Sequence, residues 1–234
     1  MNVLSVYLRL YGTSVVDAVK AVAKSPWTLV LPVGLGVAFF FLAMVLAPLG
    51  LVGGVLLGFA RAAGLSAYLY FVGELVSKSP TSLSELKKSF GVFFWSVIGV
   101  SFVLWVVDIV LGIALENNPQ KEQLLGALDL ISLIALNAVP ETIYVKGTRS
   151  GVDTIMVSFR FLQESWIEWF LPNGLLIAAV WFGRGFIPFE LVGALPVVIG
   201  FAVLFHVVMV FRGFLYLALD GSTHRQRMFR FRNS

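Results

Sequence analysis

The chain has no cysteine, which removes disulfides, thiolate metal sites and cysteine nucleophiles together. Its two histidines, His206 and His224, stand alone, and no HExxH spacing supports a zinc protease. No GxSxG elbow and no GxxxxGK[ST] phosphate loop occurs. Two aspartates, Asp108 and Asp129, are too little to define an intramembrane aspartyl protease. Charge is scarce as well: 13% of residues are Asp, Glu, Lys or Arg, about half the share of a soluble domain. These absences leave no catalytic constellation, and the expectation is a non-enzymatic protein with no cofactor and no bound metal.

What replaces the missing charge is apolar surface. Of 234 residues, 59% are hydrophobic and 21 are Phe. A soluble protein of this size could not hide so much, so the excess must face lipid. The expected class is all-α, a polytopic membrane protein. The N-terminal stretch MNVLSVYLRLYGTSVVDAVKAVAKSP spreads polar residues at helical spacing, unlike a cleavable signal peptide.

A crossing helix needs about 20 mostly apolar residues. Six segments qualify, over 27–47, 51–76, 91–115, 124–145, 166–183 and 191–216. Pro48, Leu49 and Gly50 make a tight turn between the first two. Pro172, Asn173 and Gly174 interrupt the fifth, which predicts a bent, short or partly re-entrant span there. Cytoplasmic loops retain Lys and Arg. With the N-terminus inside, thirteen basic residues fall in inner segments, against Lys121 and Arg184 in outer loops. Both termini are therefore expected in the cytoplasm of a cell membrane, of the prokaryotic inner-membrane type.

Three segments share a helix-start signature: TSVVDAVKAVAKSPW from Thr13, TSLSELKKSFGVFFW from Thr81 and RSGVDTIMVSFRFLQESW from Arg149, with starts 68 residues apart both times. Asp17, Glu85 and Asp153 take the same offset, where an acidic side chain complements a helix N-terminus, and Ser82 with Glu85 reads as a capping box. Val15, Val16, Val19, Val22 and Ala23 form an apolar stripe in the first segment. Val152, Ile155, Met156, Phe159 and Leu162 do so in the third. The spacing predicts an amphipathic helix on the inner surface, a span out and a span back, used three times. The units run over about 13–80, 81–148 and 149–216, within a single membrane domain of residues 1–219. Residues 220–234 form a basic tail.

Charges within the spans are the candidate functional residues. Arg61 and Asp129 occupy matched positions in two units, and Asp108 reaches comparable depth on the third span. A lone arginine at depth costs at least about 2.5–3.5 kcal/mol, so an intramembrane cluster of the three is expected. It serves to lock helices together or to handle cargo or protons, unless the charges simply meet solvent near the outer boundary. A second, inner polar set comprises Glu74, Asn137, Glu141, His206 and Arg212. Glu74 and Arg212 lie near helix ends, where charged side chains snorkel. Glu141 follows Pro140, and freed carbonyls beside a carboxylate can coordinate cations. His206 sits alone on an apolar face and suits a helix–helix hydrogen bond.

In the tail, Arg225, Arg227, Arg230 and Arg232 interleave with Met228, Phe229 and Phe231. Beside a span this composition favours anionic lipid headgroups over nucleic acid, at about 1 kcal/mol per basic residue. The partners expected are the lipid bilayer, those headgroups, and a membrane protein or a second copy. Two function classes remain. One is a subunit or scaffold of a larger membrane assembly. The other is a small transporter or channel with a path past Arg61, Asp108 and Asp129 toward Glu141.

Overall fold

The computed structural model describes residues 3–79, 81–147, 150–183, 191–222 and 226, with the side chains of 3–5, 175–183 and 191–195 excepted. The described residues form helices joined by short turns, with no strand. The helices are α1 (Val3–Lys24), α2 (Val30–Leu46), α3 (Gly50–Val76), α4 (Leu86–Val92), α5 (Phe94–Ala114), α6 (Lys121–Ala135), α7 (Val139–Lys146), α8 (Gly151–Gly183) and α9 (Leu191–Leu219). Four stretches are long and apolar enough to cross a membrane: Pro26–Val76, Phe94–Ala114, Lys121–Lys146 and Pro196–Leu219. The first, at 51 residues, folds back at Gly50, so that α2 and α3 pack side by side. Gly50 takes φ +54 there, a left-handed conformation that glycine adopts without steric cost. Residues 166–183 continue α8 and are not among the four.

α1 shows why its sequence reads as amphipathic twice over. Val6, Leu10, Ser14, Ala18, Ala21 and Val22 are buried against α9 and α3. Leu8, Val15, Val16 and Val19 are exposed on a second apolar strip. Arg9, Lys20 and Lys24 occupy a third, polar strip between them. At 100° per residue these are three separate faces, suited to protein, lipid and water in turn. The expected stripe of Val15, Val16, Val19, Val22 and Ala23 falls on the exposed apolar side, and a second, protein-facing strip lies beside it. Only Val22 of that group is buried, because small and long side chains at 6, 10, 14, 18 and 21 make the tighter seam against α9.

Each amphipathic helix ends in a non-helical residue just before a tryptophan. Ser25 (φ −135, ψ 62) precedes Trp27, Phe93 (φ −112, ψ 7) precedes Trp95, and Ser165 (φ −135, ψ 22) precedes Trp166. The bend in α8 thus falls at Ser165, and the backbone runs helically through Pro172. Proline at 172 has no N–H to give the carbonyl of Glu168, four residues back. The Tyr11 hydroxyl donates to that carbonyl at 3.1 Å, and Asn173 Nδ2 donates to Trp169 O at 2.6 Å, so the expected interruption is absorbed. Ser82 does cap, but its hydroxyl accepts from Ser84 N–H, while the Glu85 N–H goes to Ser82 O, so the expected bond of a capping box from Glu85 N–H to the Ser82 hydroxyl is not made.

Packing is concentrated toward one end. α3 packs on α4 and α5, α7 on α8, and α9 on α1 and α2, while α3, α7 and α9 also touch each other. Gly73 and Gly213 let α3 and α9 close on Tyr144 of α7. The main core gathers Leu10, Tyr68, Val72, Trp169, Val210 and Tyr216. By contrast α2 and α6 bury none of their residues. Their outward apolar side chains, among them Phe40, Phe41, Met44, Leu130, Ile131 and Leu133, are exposed as lipid-facing residues are.

Candidate functional site

The buried polar centre lies where α6 gives way to α7. Residues 136–138 turn out of helical geometry, Pro140 enters as the second residue of α7, and Glu141 follows in its first turn. The turn frees the Asn137 carbonyl, and Arg212 of α9 takes it. Arg212 also donates from Nε to Glu141 Oε1 at 2.8 Å and from Nη2 to Oε2 at 3.0 Å, a forked pairing that a lysine could not reproduce. Glu141 is fully buried. The guanidinium stacks 5.0 Å over the Trp169 ring, whose Nε1 donates to Asn137 Oδ1 at 2.9 Å. Asn137, Glu141 and Arg212 therefore come together as one site with Trp169, which the sequence reading did not include. Beside them the Tyr144 hydroxyl is buried without a hydrogen-bond partner.

His206 belongs to a second, separate contact. Its Nε2 lies 3.1 Å from Thr28 Oγ1 and its Nδ1 3.3 Å from Tyr68 Oη, with the ring fully buried. Thr28 spends its own proton on Ser25 O at 2.8 Å, so Nε2 carries the hydrogen and Nδ1 accepts from Tyr68. That tautomer is neutral and every polar atom of the ring is satisfied, the helix–helix bond expected of it. Glu74 is half-buried near the end of α3 and joins neither group by an ion pair.

These contacts follow a rule. Ser66 of α3 accepts from Phe93 N–H at 2.9 Å and donates to Ser89 O at 3.0 Å, clasping the break between α4 and α5. Asn137 clasps Trp169, just past the break at Ser165. His206 clasps Thr28, just past the break at Ser25. Ser66, Asn137 and His206 are 71 and 69 residues apart, and each reaches to the next of these three breaks along the chain, the last reaching back to the first. Outside the spans, burial first and the Glu168 carboxylate second push the Tyr11 phenol up to about 12, so it stays a donor at any ordinary pH.

Arg61, Asp108 and Asp129 are not brought together. All three are exposed, and among the described residues the ion pairs are Lys78–Asp17, Lys146–Asp220 and Arg212–Glu141. The physical reason is that α6 packs on α8 rather than α3 and buries nothing, which leaves Asp129 without an arginine to meet. Arg61 shares a face of α3 with Tyr68 and Val72, two turns further from the packed end. Arg225, Arg227, Arg230 and Arg232 lie outside the described residues. Among the described residues no three His, Asp or Glu side chains gather as a metal site. No family model, curated protein or solved structure matches the chain.

Proposed function

We propose that this protein is a non-enzymatic integral membrane subunit or scaffold that joins a larger assembly through its weakly packed span faces. The carrying observation is the contrast between its two sets of charges. The buried Arg212 and Glu141 satisfy each other within the chain, whereas Arg61 and Asp129 stand exposed on apolar helices. Arg61 is eleven residues along α3 and Asp129 eight along α6, about 16 and 12 Å from the outer helix ends at about 1.5 Å per residue. At such depth each unpaired charge costs about 2.5–3.5 kcal/mol, and a partner's counter-charge would offset it.

In this reading the chain crosses six times in three related units, with both termini cytoplasmic. The three breaks before Trp27, Trp95 and Trp166 and the ring of clasps from Ser66, Asn137 and His206 support the repeat. The tryptophans lie 68 and then 71 residues apart because the third signature, from Arg149 to Trp166, is three residues longer than the first two. The Arg-rich tail would meet anionic headgroups. A transport path toward Glu141 has less support, because Arg212 occupies both carboxylate oxygens.

The test uses the natural absence of cysteine. Copies carrying Arg61→Cys, mixed with copies carrying Asp129→Cys, should form a disulfide-linked dimer when membranes are oxidised, the two thiols meeting where the charges met. If both remain uncrosslinked while reacting freely with lipid-phase thiol reagents, the exposed charges face only lipid and the proposal fails. As a second check, Arg61→Asp should weaken assembly, and Asp129→Arg on the facing copy should restore it.

A further inference from the structure

A cavity of about 430 Å3 opens at the same end as the packed core, between α1, the end of α3 and the segment that follows it. Lys20, Lys24 and Lys78 converge on it from two elements, and Ser25, Ser79 and Thr81 complete its polar wall. Its one carboxylate, Asp17, is engaged 3.4 Å from Lys78. Thr81 Oγ1 is buried there with no hydrogen-bond partner.

Lysines at helix ends often serve only to complement terminal carbonyls. Here that duty is already discharged by backbone: Ser77, Lys78 and Ser79 N–H bond to Gly73, Leu75 and Glu74 O, and Ser25 N–H bonds to Val22 O. Lys78 also ends α3 at φ +60, a left-handed position that glycine fills more cheaply. The chain accepts that strain and keeps an ammonium at the cavity. Two cations with no carboxylate partner among the described residues, a third held by one, and an unused hydroxyl describe a site for a tetrahedral oxyanion.

We propose that this cavity binds a phosphate group, carried either by an anionic lipid headgroup at the membrane boundary or by a free solute. Lys20 and Lys24 supply the charge, Lys78 bridges between Asp17 and the ligand, and Thr81 donates its free hydroxyl. The inference is independent of the subunit reading, since it concerns the opposite end of the molecule from Arg61 and Asp129.

The experiment compares the whole chain with two double variants of equal charge loss. Lys20→Gln with Lys24→Gln empties the cavity of its free cations. Lys87→Gln with Lys88→Gln removes the same charge from α4, where both lysines are exposed. Native mass spectrometry from phosphatidylglycerol and from phosphatidylcholine bilayers counts retained lipid, and inorganic phosphate titrated in detergent reads the solute arm. The unaltered protein should retain one phosphatidylglycerol or bind phosphate saturably. The cavity variant should bind roughly thirtyfold more weakly and the α4 variant should not. Retention of lipid without a phosphate response names the headgroup as source; the reverse names a solute. Thr81→Val, which leaves charge unchanged, should weaken the same binding. Equal loss in both lysine variants would mean diffuse surface attraction and overturn the proposal, as would failure of both probes to bind the unaltered protein.

Discussion

Arg212→Met isolates what the forked pair contributes. The substitution removes both hydrogen bonds to Glu141, the bond to Asn137 O and the stacking on Trp169. Glu141 is left buried without its counter-charge. Breaking a buried pair from one side costs about 3–5 kcal/mol, and for a chain of this length about 2–4 °C of melting temperature per kcal/mol. Thermal unfolding in a mild detergent should therefore fall by roughly 6–20 °C. Glu141→Gln should cost less, because a neutral amide still accepts one guanidinium bond. The decisive variant is the double replacement Arg212→Met with Glu141→Leu, which exchanges the pair for apolar volume. It should recover most of the loss, since such exchanges are often neutral or stabilising. A melting temperature within about 2 °C of the parent for Arg212→Met would refute the reasoning. So would a double variant no better than Arg212→Met alone.

Other perturbations probe the junctions. His206→Phe removes the bonds to Thr28 and Tyr68, and should speed hydrogen exchange around Ser25–Leu29 while leaving the α4–α5 junction protected. Loosening at both junctions would mean global rather than local loss. Gly99→Ala would place a methyl 2.9 Å from the Gly151 backbone nitrogen, so α5 and α8 must part, at about 1–3 kcal/mol. Gly91→Ala, where nothing lies within 4 Å, is the control, and equal effects of the two would contradict the close approach. Tyr11, with its folded pKa raised to about 12, is neutral in the fold after an unfolded phenol has ionised. Its contribution is fully present below about pH 10 and is lost as pH rises toward 12. Tyrosinate absorbance should lose a late-titrating component in Tyr11→Phe, and an unchanged titration would remove Tyr11 from the account.

Much of the architecture was legible because the bilayer constrains it. The hydropathy of α2, α3, α5 and α9 and the punctuation at Gly50 come straight from the chain. The amphipathic helices were legible too, though not their orientation. α1 carries two apolar strips, and periodicity alone does not tell a lipid-facing Val15 from a protein-facing Leu10. The inner polar set was named residue by residue, yet its pairing was not. Arg212 near a helix end reads as a snorkelling side chain until Asn137 and Glu141 are seen to meet it across 71 and more residues. Trp169 was missed because nothing local marks an indole that answers an asparagine 32 positions away.

The most direct test of the central claim is native mass spectrometry of the protein released gently from its own membranes. A stoichiometric protein partner or a defined homo-oligomer, lost when Arg61→Asp or Asp129→Arg is introduced, is the predicted result. A monomer carrying only lipid, unchanged by either substitution, would contradict the claim that the exposed intramembrane charges are there to be met by another chain.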